Sequence, residues 1–394
     1  MGEKVRVGLV YGGRSGEHEV SLQTALAVMK AFDYDKYEIK PFYISKDGEW
    51  RSGQVLLAPP SDLGSLRLAG GSAVVGTEAL MPVFGGGAEQ AQTAAIASVP
   101  AEVKISAVSS AANAIASSDT GLDVVFPLLH GTFGEDGTIQ GLFEMANIPY
   151  VGAGVLASAV GMDKITMKKV FAQDGLPQCI YRYFNRTQWE NDASFYIMEI
   201  ETALGYPCFV KPANLGSSVG ISKARNREEL VEAVDYALRF DRKVIVEEFV
   251  DAREIEVSVL GNDEPRASVV GEITSSSEFY DYKAKYIDGK SMMHIPANLP
   301  TEVSESVREM AVRAFQAIDG SGLSRVDFFL RKEDGQLFIN EVNTMPGFTP
   351  YSMYPLMWKE SGVSYAELLD TLIGLAVSRH AEKQRIDYSG GSPA

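Results

Sequence analysis

Cysteine is nearly absent: Cys179 and Cys208 are the only two among 394 residues. They give no disulfide framework, and a reduced intracellular setting fits. Long apolar runs are missing too, since no stretch approaches the roughly 18 uninterrupted apolar residues of a membrane span. The first residues run straight into an apolar strand, Val5 to Tyr11, without a basic-then-apolar leader, so we expect a cytoplasmic protein. An excess of positive charge is also lacking. The formal net charge of −16 argues against nucleic acid or an acidic membrane surface as the main partner. We find no internal repeat; no Gly-Lys-Ser/Thr triplet follows the glycines after Lys211, and the Gly12–Gly16 turn lacks G-x-G-x-x-G spacing. What remains is an ordinary globular composition, 45% apolar and 22% charged, long enough for two or three domains.

Along the chain, Val5–Tyr11 reads as a strand, Gly12-Gly13-Arg14-Ser15-Gly16 as a glycine turn, and the next segment as a helix. Leu22, Ala25, Leu26, Met29 and Phe32 recur in it at helical spacing. Strand, turn and helix in that order suggest an open α/β sheet with a ligand site at the strand's carboxyl end. Strands at Glu38–Ile44 and Leu122–Leu129 extend it. Residues 58–120 are rich in Ala, Ser and Gly, and read as a peripheral insertion without identifiable chemistry. Asp163 is an expected N-cap for a helix through about Gln173. Asn226 and Thr301 are expected caps of two later helices. Further strands are expected at Cys208–Lys211, Lys243–Val250 and Glu254–Val259. We expect domains at 1–152, 153–247 and 248–394.

The most informative feature is a strand pair, Ser324–Leu330 and Gln336–Asn343, joined through Lys332-Glu333-Asp334-Gly335. If the loop is Glu333-Asp334-Gly335, Lys332 pairs with Gln336 and Asp327 falls opposite Glu341. Asp327, Glu341 and Asn343 then share a face with Arg325, and Phe329, Leu337 and Ile339 fill that face nearer the turn. Buried carboxylates are costly unless paired or metal-bound. Two carboxylates and an amide oxygen suit Mg2+, which keeps coordination sites for phosphate oxygens. The plainer reading is a hairpin with three exposed polar residues.

Lys211 ends a strand and opens a loop holding Gly216, Ser217, Ser218 and Gly220, which could close on phosphates with N–H groups and hydroxyls. Lys164, just inside the helix after Asp163, is a second candidate phosphate ligand. The net acidity does not argue against ATP, which needs only such a local cluster. Glu247, Glu248, Phe249 and Val250 form a possible hinge strand for an adenine. Glu17 sits at a helix start, where it would repel a pyrophosphate but suit a ligand ammonium. His130 opens the turn His130–Gly137, either as a site residue or as a satisfied structural histidine. An aromatic loop within 275–296, with Tyr280, Lys285 and Tyr286, could shut water out of a site or present a protein-binding surface.

Five motifs occur in order: Gly12 to Ser21, His130 to Gly137, Lys211 with Gly216 to Gly220, Tyr280 to Tyr286, and Asn340 to Gly347. Together they resemble the D-alanine–D-alanine ligases of the ATP-grasp superfamily, over nearly the whole length apart from 58–120. The resemblance implies an α/β (α+β) ATP-grasp fold of three domains and ATP-dependent joining of two D-alanines through a D-alanyl phosphate. It implies Lys164 and Lys211 on the ATP phosphates with Gly216 and Ser218, and Glu247, Phe249, Val250 and Glu254 around adenine and ribose. Asp327, Glu341 and Asn343 would hold two Mg2+ ions, with Mn2+ as a possible substitute. Glu17 would meet the first D-alanine's ammonium, and Arg325 with the N–H of Gly347 would stabilise the oxyanion. Lys285 would steady the transferring phosphate. Ser352 would hold the second substrate's carboxylate beside Met353, an apolar wall. His130 and Tyr280 count among the substrate contacts. Ser217, Glu17 and Tyr286 would tie the loop shut, and the protein would be a homodimer.

One departure is Glu248, where some relatives carry a basic residue. Relatives from vancomycin resistance join D-alanine to D-lactate or D-serine. The Tyr280–Tyr286 motif is of the dipeptide-forming type. A nucleotide-binding scaffold on the same fold is the reading from another class, since fold alone does not give function. Three metal ligands together with Arg325 weigh against it. An NAD-dependent dehydrogenase is weaker still, for want of the fingerprint.

Overall fold

A computed structural model describes residues 4–68, 121–216, 219–274 and 292–388. Residues 69–120 of the expected insertion and 275–291 of the aromatic loop lie outside the described residues, and so do Ser217, Ser218, Tyr280, Lys285 and Tyr286. The chain divides into two compact units.

The first unit draws on Met1–Gly134, Thr138–Val151 and Leu369–Ala394. Its sheet has the order β3-β2-β1-β4, with β1 (Val5–Gly12), β2 (Tyr37–Ile44), β3 (Trp50–Ser52) and β4 (Val124–Leu128). β1 is central and parallel to both β2 and β4. It is buried from Val7 to Gly12, which is why its sequence is a continuous apolar run rather than an alternation. Helix α1 (His18–Ala31) buries Leu22, Ala25 and Met29 of the face that helical spacing predicts, with Phe32 just beyond its end; Leu26 of that face is half-buried, and Val28 is buried instead. Gly12 has φ of +95°, and a Cβ there would lie 2.1 Å from the Ile44 carbonyl oxygen, so the turn into α1 admits only glycine. Helix α2 (Thr138–Met145) adds Ile139 and Phe143 to the core around Val10, Phe42 and Val125.

The second unit comprises Glu135–Gly137 and Gly152–Leu368. It opens with α3 (Val155–Met162) and α4 (Lys164–Gln173). Asp163 accepts the Thr166 N–H at 2.9 Å, the predicted cap. An antiparallel sheet of order β5-β8-β6-β7 follows, from β5 (Tyr181–Asn185), β6 (Cys208–Pro212), β7 (Ser222–Ala224) and β8 (Lys243–Glu248). Helices α5 (Arg186–Ala203) and α6 (Arg227–Ala237) pack Trp189, Ile200, Leu230 and Val234 onto Phe184, Val210 and Val246. Asn226 caps α6 by accepting the Glu229 N–H at 2.9 Å.

A second antiparallel sheet has the order β11-β10-β9-β12-β13. Its strands are β9 (Ala252–Gly261), β10 (Arg266–Thr274), β11 (Met292–His294), β12 (Gly322–Arg331) and β13 (Leu337–Asn343). One face buries Ile255, Val257, Val326, Phe328, Ile339 and Val342 under α4 and α7 (Thr301–Ala317), which contribute Met167, Phe171, Val307 and Phe315. Thr301 is the first residue of α7; the cap position belongs to Pro300. Helices α8 (Met353–Glu360) and α9 (Tyr365–Lys383) complete the described chain.

The β12–β13 register differs from expectation near the turn and agrees with it at the polar end. Asp327 faces Glu341 and Arg325 faces Asn343, but Phe328 already faces Ile339. The Arg331 N–H donates to the Gln336 carbonyl at 2.9 Å, so the loop is Lys332 to Gly335, one residue longer than expected. Arg331 Nε donates to Asp334 at 2.8 Å, and Asp334 also accepts the Gln336 N–H at 3.0 Å, which fixes that longer loop. Asn340 absorbs the difference as a bulge. Leu337 and Ile339 are thereby turned away from Asp327 to the apolar core, and Phe338 takes the position opposite Phe329.

Candidate active site

Alternation along three adjacent strands builds the polar face. Asp327 on β12 faces Glu256 on β9 to one side and Glu341 on β13 to the other. Arg325, one place along that face, lies between Ser258 and Asn343. Three carboxylates thus form a row across the sheet, backed by the apolar core on its other side. Arg325 donates from Nε and Nη2 to both oxygens of Asp327, each at 2.7 Å, and its Nε also lies 3.1 Å from Glu256. Burial alone would weaken the guanidinium's hold on its proton; Asp327 and Glu256 outweigh that and keep it charged. Glu256 did not stand out in the sequence, although an acid repeated at Glu254 and Glu256 inside an apolar strand was a usable signal.

Lys164 reaches this row from the start of α4, with Nζ 3.7 Å from Glu341 and donating to the Leu215 carbonyl at 2.8 Å. Its backbone N–H donates to the Ala213 carbonyl at 2.9 Å, which ties α4 to the loop after β6. Lys243 pairs with Asp163 at the same junction. Gly216 follows in that loop, half-buried, its carbonyl accepting the Val219 N–H at 3.3 Å.

Lys211, on β6, pairs with Glu247 of the neighbouring β8 at 2.7 Å. The other oxygen of Glu247 lies 3.3 Å from Lys168 Nζ, close enough for an ion pair but poorly directed for a hydrogen bond. The side chains of Glu247 and Lys168 are only 3% and 1% exposed, against 11% for Lys211. Burial raises the Glu247 carboxyl, but Lys168 and Lys211 overcome it and hold it at about 2. Lys168 lies one helical turn beyond Lys164 among Met167 and Phe171; a lysine on an inner helical face was the available signal.

Beyond β8, Phe249 is exposed with Lys223 Nζ 4.2 Å from its ring centre, and Val250 is half-buried. Glu254 lies on the polar face opposite Phe329. Glu248 accepts the Ile180 N–H at 2.7 Å, so the acid at this place anchors β5. After β13, a Cβ on Gly347 would sit 3.1 Å from Ser352 Oγ. Ser352 Oγ accepts the Thr349 N–H at 3.1 Å. Met353 is buried with Ile273 and Met357.

In the first unit, Glu17 stands at the start of α1 and His130 follows β4. A Cβ on Gly131 would lie 2.8 Å from Glu17 Oε2. Ser15 Oγ donates to the His130 carbonyl at 2.6 Å, and the Glu17 N–H donates to Ser15 Oγ at 3.2 Å. The His130 ring is buried, its Nε2 3.1 Å from Thr24 Oγ1.

The row also permits a test of whether a divalent cation fits. Among the described residues no group of three or more His, Cys, Asp or Glu is arranged to hold a metal. The candidate set is smaller, two carboxylates and an amide, and Asn343 Oδ1 is buried without a hydrogen-bond partner. Such an orphan costs about 1–3 kcal/mol unless something is bound to it. Hard oxygen donors with few protein ligands suit Mg2+ completed by phosphate oxygens. The residues fit.

Comparison with known proteins agrees. The family descriptions D-ala D-ala ligase N-terminus and D-ala D-ala ligase C-terminus match residues 6–153 and 170–374. A D-alanine–D-alanine ligase of Bacillus licheniformis is 54% identical over 386 residues, covering 98% of this chain and 99% of its own; that of Bacillus cytotoxicus is 52% identical at the same coverage. Among solved structures, the VanG D-Ala:D-Ser ligase of Enterococcus faecalis has 34% identity and a TM-score of 0.75, covering 95% of this chain and all of its own. The D-alanine–D-alanine ligase of Coxiella burnetii has 31% identity and a TM-score of 0.74, covering 98% and 97%. With this match across its length and an ATP-grasp fold, the chain belongs to the D-alanine–D-alanine ligase family.

Proposed function

We infer that this chain joins two D-alanines to D-alanyl-D-alanine at the expense of ATP, releasing ADP and phosphate, for peptidoglycan precursor synthesis. The observation that carries the reading is the row of carboxylates flanking Arg325, with an orphan amide oxygen beside it. Carboxylate and amine condense poorly in water, so the carboxylate of the first D-alanine is phosphorylated to give a leaving group. The deprotonated amine of the second then attacks the acyl phosphate. Lys164 and Lys211 hold the ATP phosphates, with Gly216 and Ser218 lending N–H groups. Glu247, Phe249, Val250 and Glu254 lie about adenine and ribose. Asp327, Glu341 and Asn343 would hold Mg2+, or Mn2+ in its place, which when bound offsets phosphate charge. Arg325 and the Gly347 N–H steady the oxyanion as the peptide bond forms. Ser352 receives the second carboxylate beside Met353. Glu17 takes an ammonium, His130 and Tyr280 contact substrate, Lys285 steadies the transferring phosphate, and Ser217, Glu17 and Tyr286 act together.

The sequence divides for these tasks at 1–152, 153–247 and 248–394, in a cytoplasmic homodimer. Among the described residues no helix is long and apolar enough to cross a membrane. The test is to supply ATP, Mg2+ and D-alanine, with and without excess D-lactate or D-serine at neutral pH. D-Alanyl-D-alanine should dominate, with phosphate release dependent on D-alanine. Mainly depsipeptide, or mainly the D-serine product, overturns the second-substrate assignment.

A further inference from the structure

We propose that Lys168 is a positioning residue for the nucleotide: it neutralises Glu247 and so leaves the charge of Lys211 available to phosphate. The inference rests on the reading above that Lys211 contacts phosphate. Lys168 is itself too buried to touch a ligand, at 1% exposure. Glu247 is almost as buried and lies between the two lysines, with Oε2 2.7 Å from Lys211 Nζ and Oε1 3.3 Å from Lys168 Nζ. A pair of Glu247 and Lys211 alone would be neutral and would offer an incoming polyphosphate little attraction. Two lysines on one carboxylate leave the cluster with a single positive charge. That charge is presented through Lys211, the more exposed of the two cations.

The backbone supports this division of labour. Lys211 and Glu247 sit on neighbouring strands, β6 and β8, whereas Lys168 comes from α4. The Lys168 carbonyl accepts from Gln178 Nε2 at 2.7 Å, and its Nζ lies 5.7 Å from the Tyr181 ring centre. Helix, connection and sheet therefore hold the lysine in place. Lys164, on the preceding turn of α4, is turned to Leu215 and Glu341. One helix thus carries one lysine for the ligand and one for the carboxylate behind it.

The test is ADP and adenosine affinity, measured by calorimetry on the full chain with folding checked by circular dichroism. Lys168→Met should weaken ADP about tenfold or more, the effect of removing one charge near a polyphosphate in a partly buried site. Adenosine, which lacks phosphates, should bind unchanged. Lys168→Arg should keep ADP affinity. The double variant Lys168→Met/Glu247→Gln restores one positive charge, so its ADP-to-adenosine affinity ratio should return most of the way to the parent's, whatever the loss of the carboxylate does at the adenine, even if Lys168→Met alone folds poorly. A folded Lys168→Met that binds ADP like the parent, or a folded double variant whose ADP-to-adenosine ratio is as low as that of Lys168→Met, overturns the proposal. Lys211→Met separates the two levels. If it leaves ADP affinity unchanged, the phosphate role of Lys211 fails; if it weakens ADP while Lys168→Met does not, only the present inference fails.

Discussion

Two charged clusters in the second unit are built oppositely. The Lys168–Glu247–Lys211 cluster has one acid between two bases, is nearly closed to solvent, and carries a net positive charge. The β9–β12–β13 row has three acids, Glu256, Asp327 and Glu341, against Arg325 and Lys164, and carries a net negative one. Each oxygen of Glu247 has a lysine Nζ within 3.3 Å, even though Oε1 makes no hydrogen bond, whereas in the row Asn343 Oδ1 is buried without a hydrogen-bond partner. The first arrangement suits phosphate and the second a cation, the division of labour that the proposed site for ATP and Mg2+ calls for. The clusters also sense one another: Glu341 adds to the forces that raise Lys211 above the ordinary lysine value, after burial, which opposes it, and Glu247.

The contrast can be broken at several points. The largest effect is expected for Arg325→Met, which leaves three acids short of a cation and removes the proposed support of the oxyanion. Steady-state assays should show kcat lower by about 10²–10³-fold, with ADP binding at the lysine cluster nearly intact. Next is Asn343→Leu. The Mg2+ concentration for half-maximal activity should rise at least roughly tenfold, yet urea unfolding without metal should show no loss of stability, because the amide oxygen has no hydrogen bond to lose. A loss of stability would mean that the amide is structural.

The lysine cluster should show its sign through pH. Glu247 titrates at about 2 in the fold and at about 4.3 in an unfolded chain. Its contribution is therefore fully present above about pH 4.3 and is lost as pH falls toward 2. Glu247→Gln should destabilise the protein at neutral pH by a few kcal/mol, as breaking a buried pair does. The gap from the parent should shrink below pH 4, as chemical denaturation at successive pH values would reveal. The smallest effect belongs to Lys332, whose pair with Asp251 at 2.6 Å is largely exposed. Lys332→Ala should move neither turnover nor melting temperature measurably.

Local signals carried much of this architecture. The strand, glycine turn and helix from Val5 to Ala31 and the Asp163 and Asn226 caps were legible because each depends on near neighbours in sequence. Asp327 opposite Glu341 was also legible, but for an incomplete reason. Arg331, by gripping Asp334 and Gln336, lengthens the turn, and the bulge at Asn340 returns the polar end to register. Lys168 and Glu256 were missed because their partners lie far away in sequence. Glu247 is supplied to Lys168 by β8 and Arg325 to Glu256 by β12, and pattern alone does not say which strands become neighbours.

The most direct measurement is Mn2+ binding, followed by electron paramagnetic resonance in the presence of ADP, for the parent, Glu341→Gln and Lys168→Met. Glu341→Gln should bind the ion at least roughly tenfold more weakly at saturating ADP, while Lys168→Met at saturating ADP should bind it as the parent does. Equal affinity in the parent and Glu341→Gln would contradict the assignment of the cation to the acidic row.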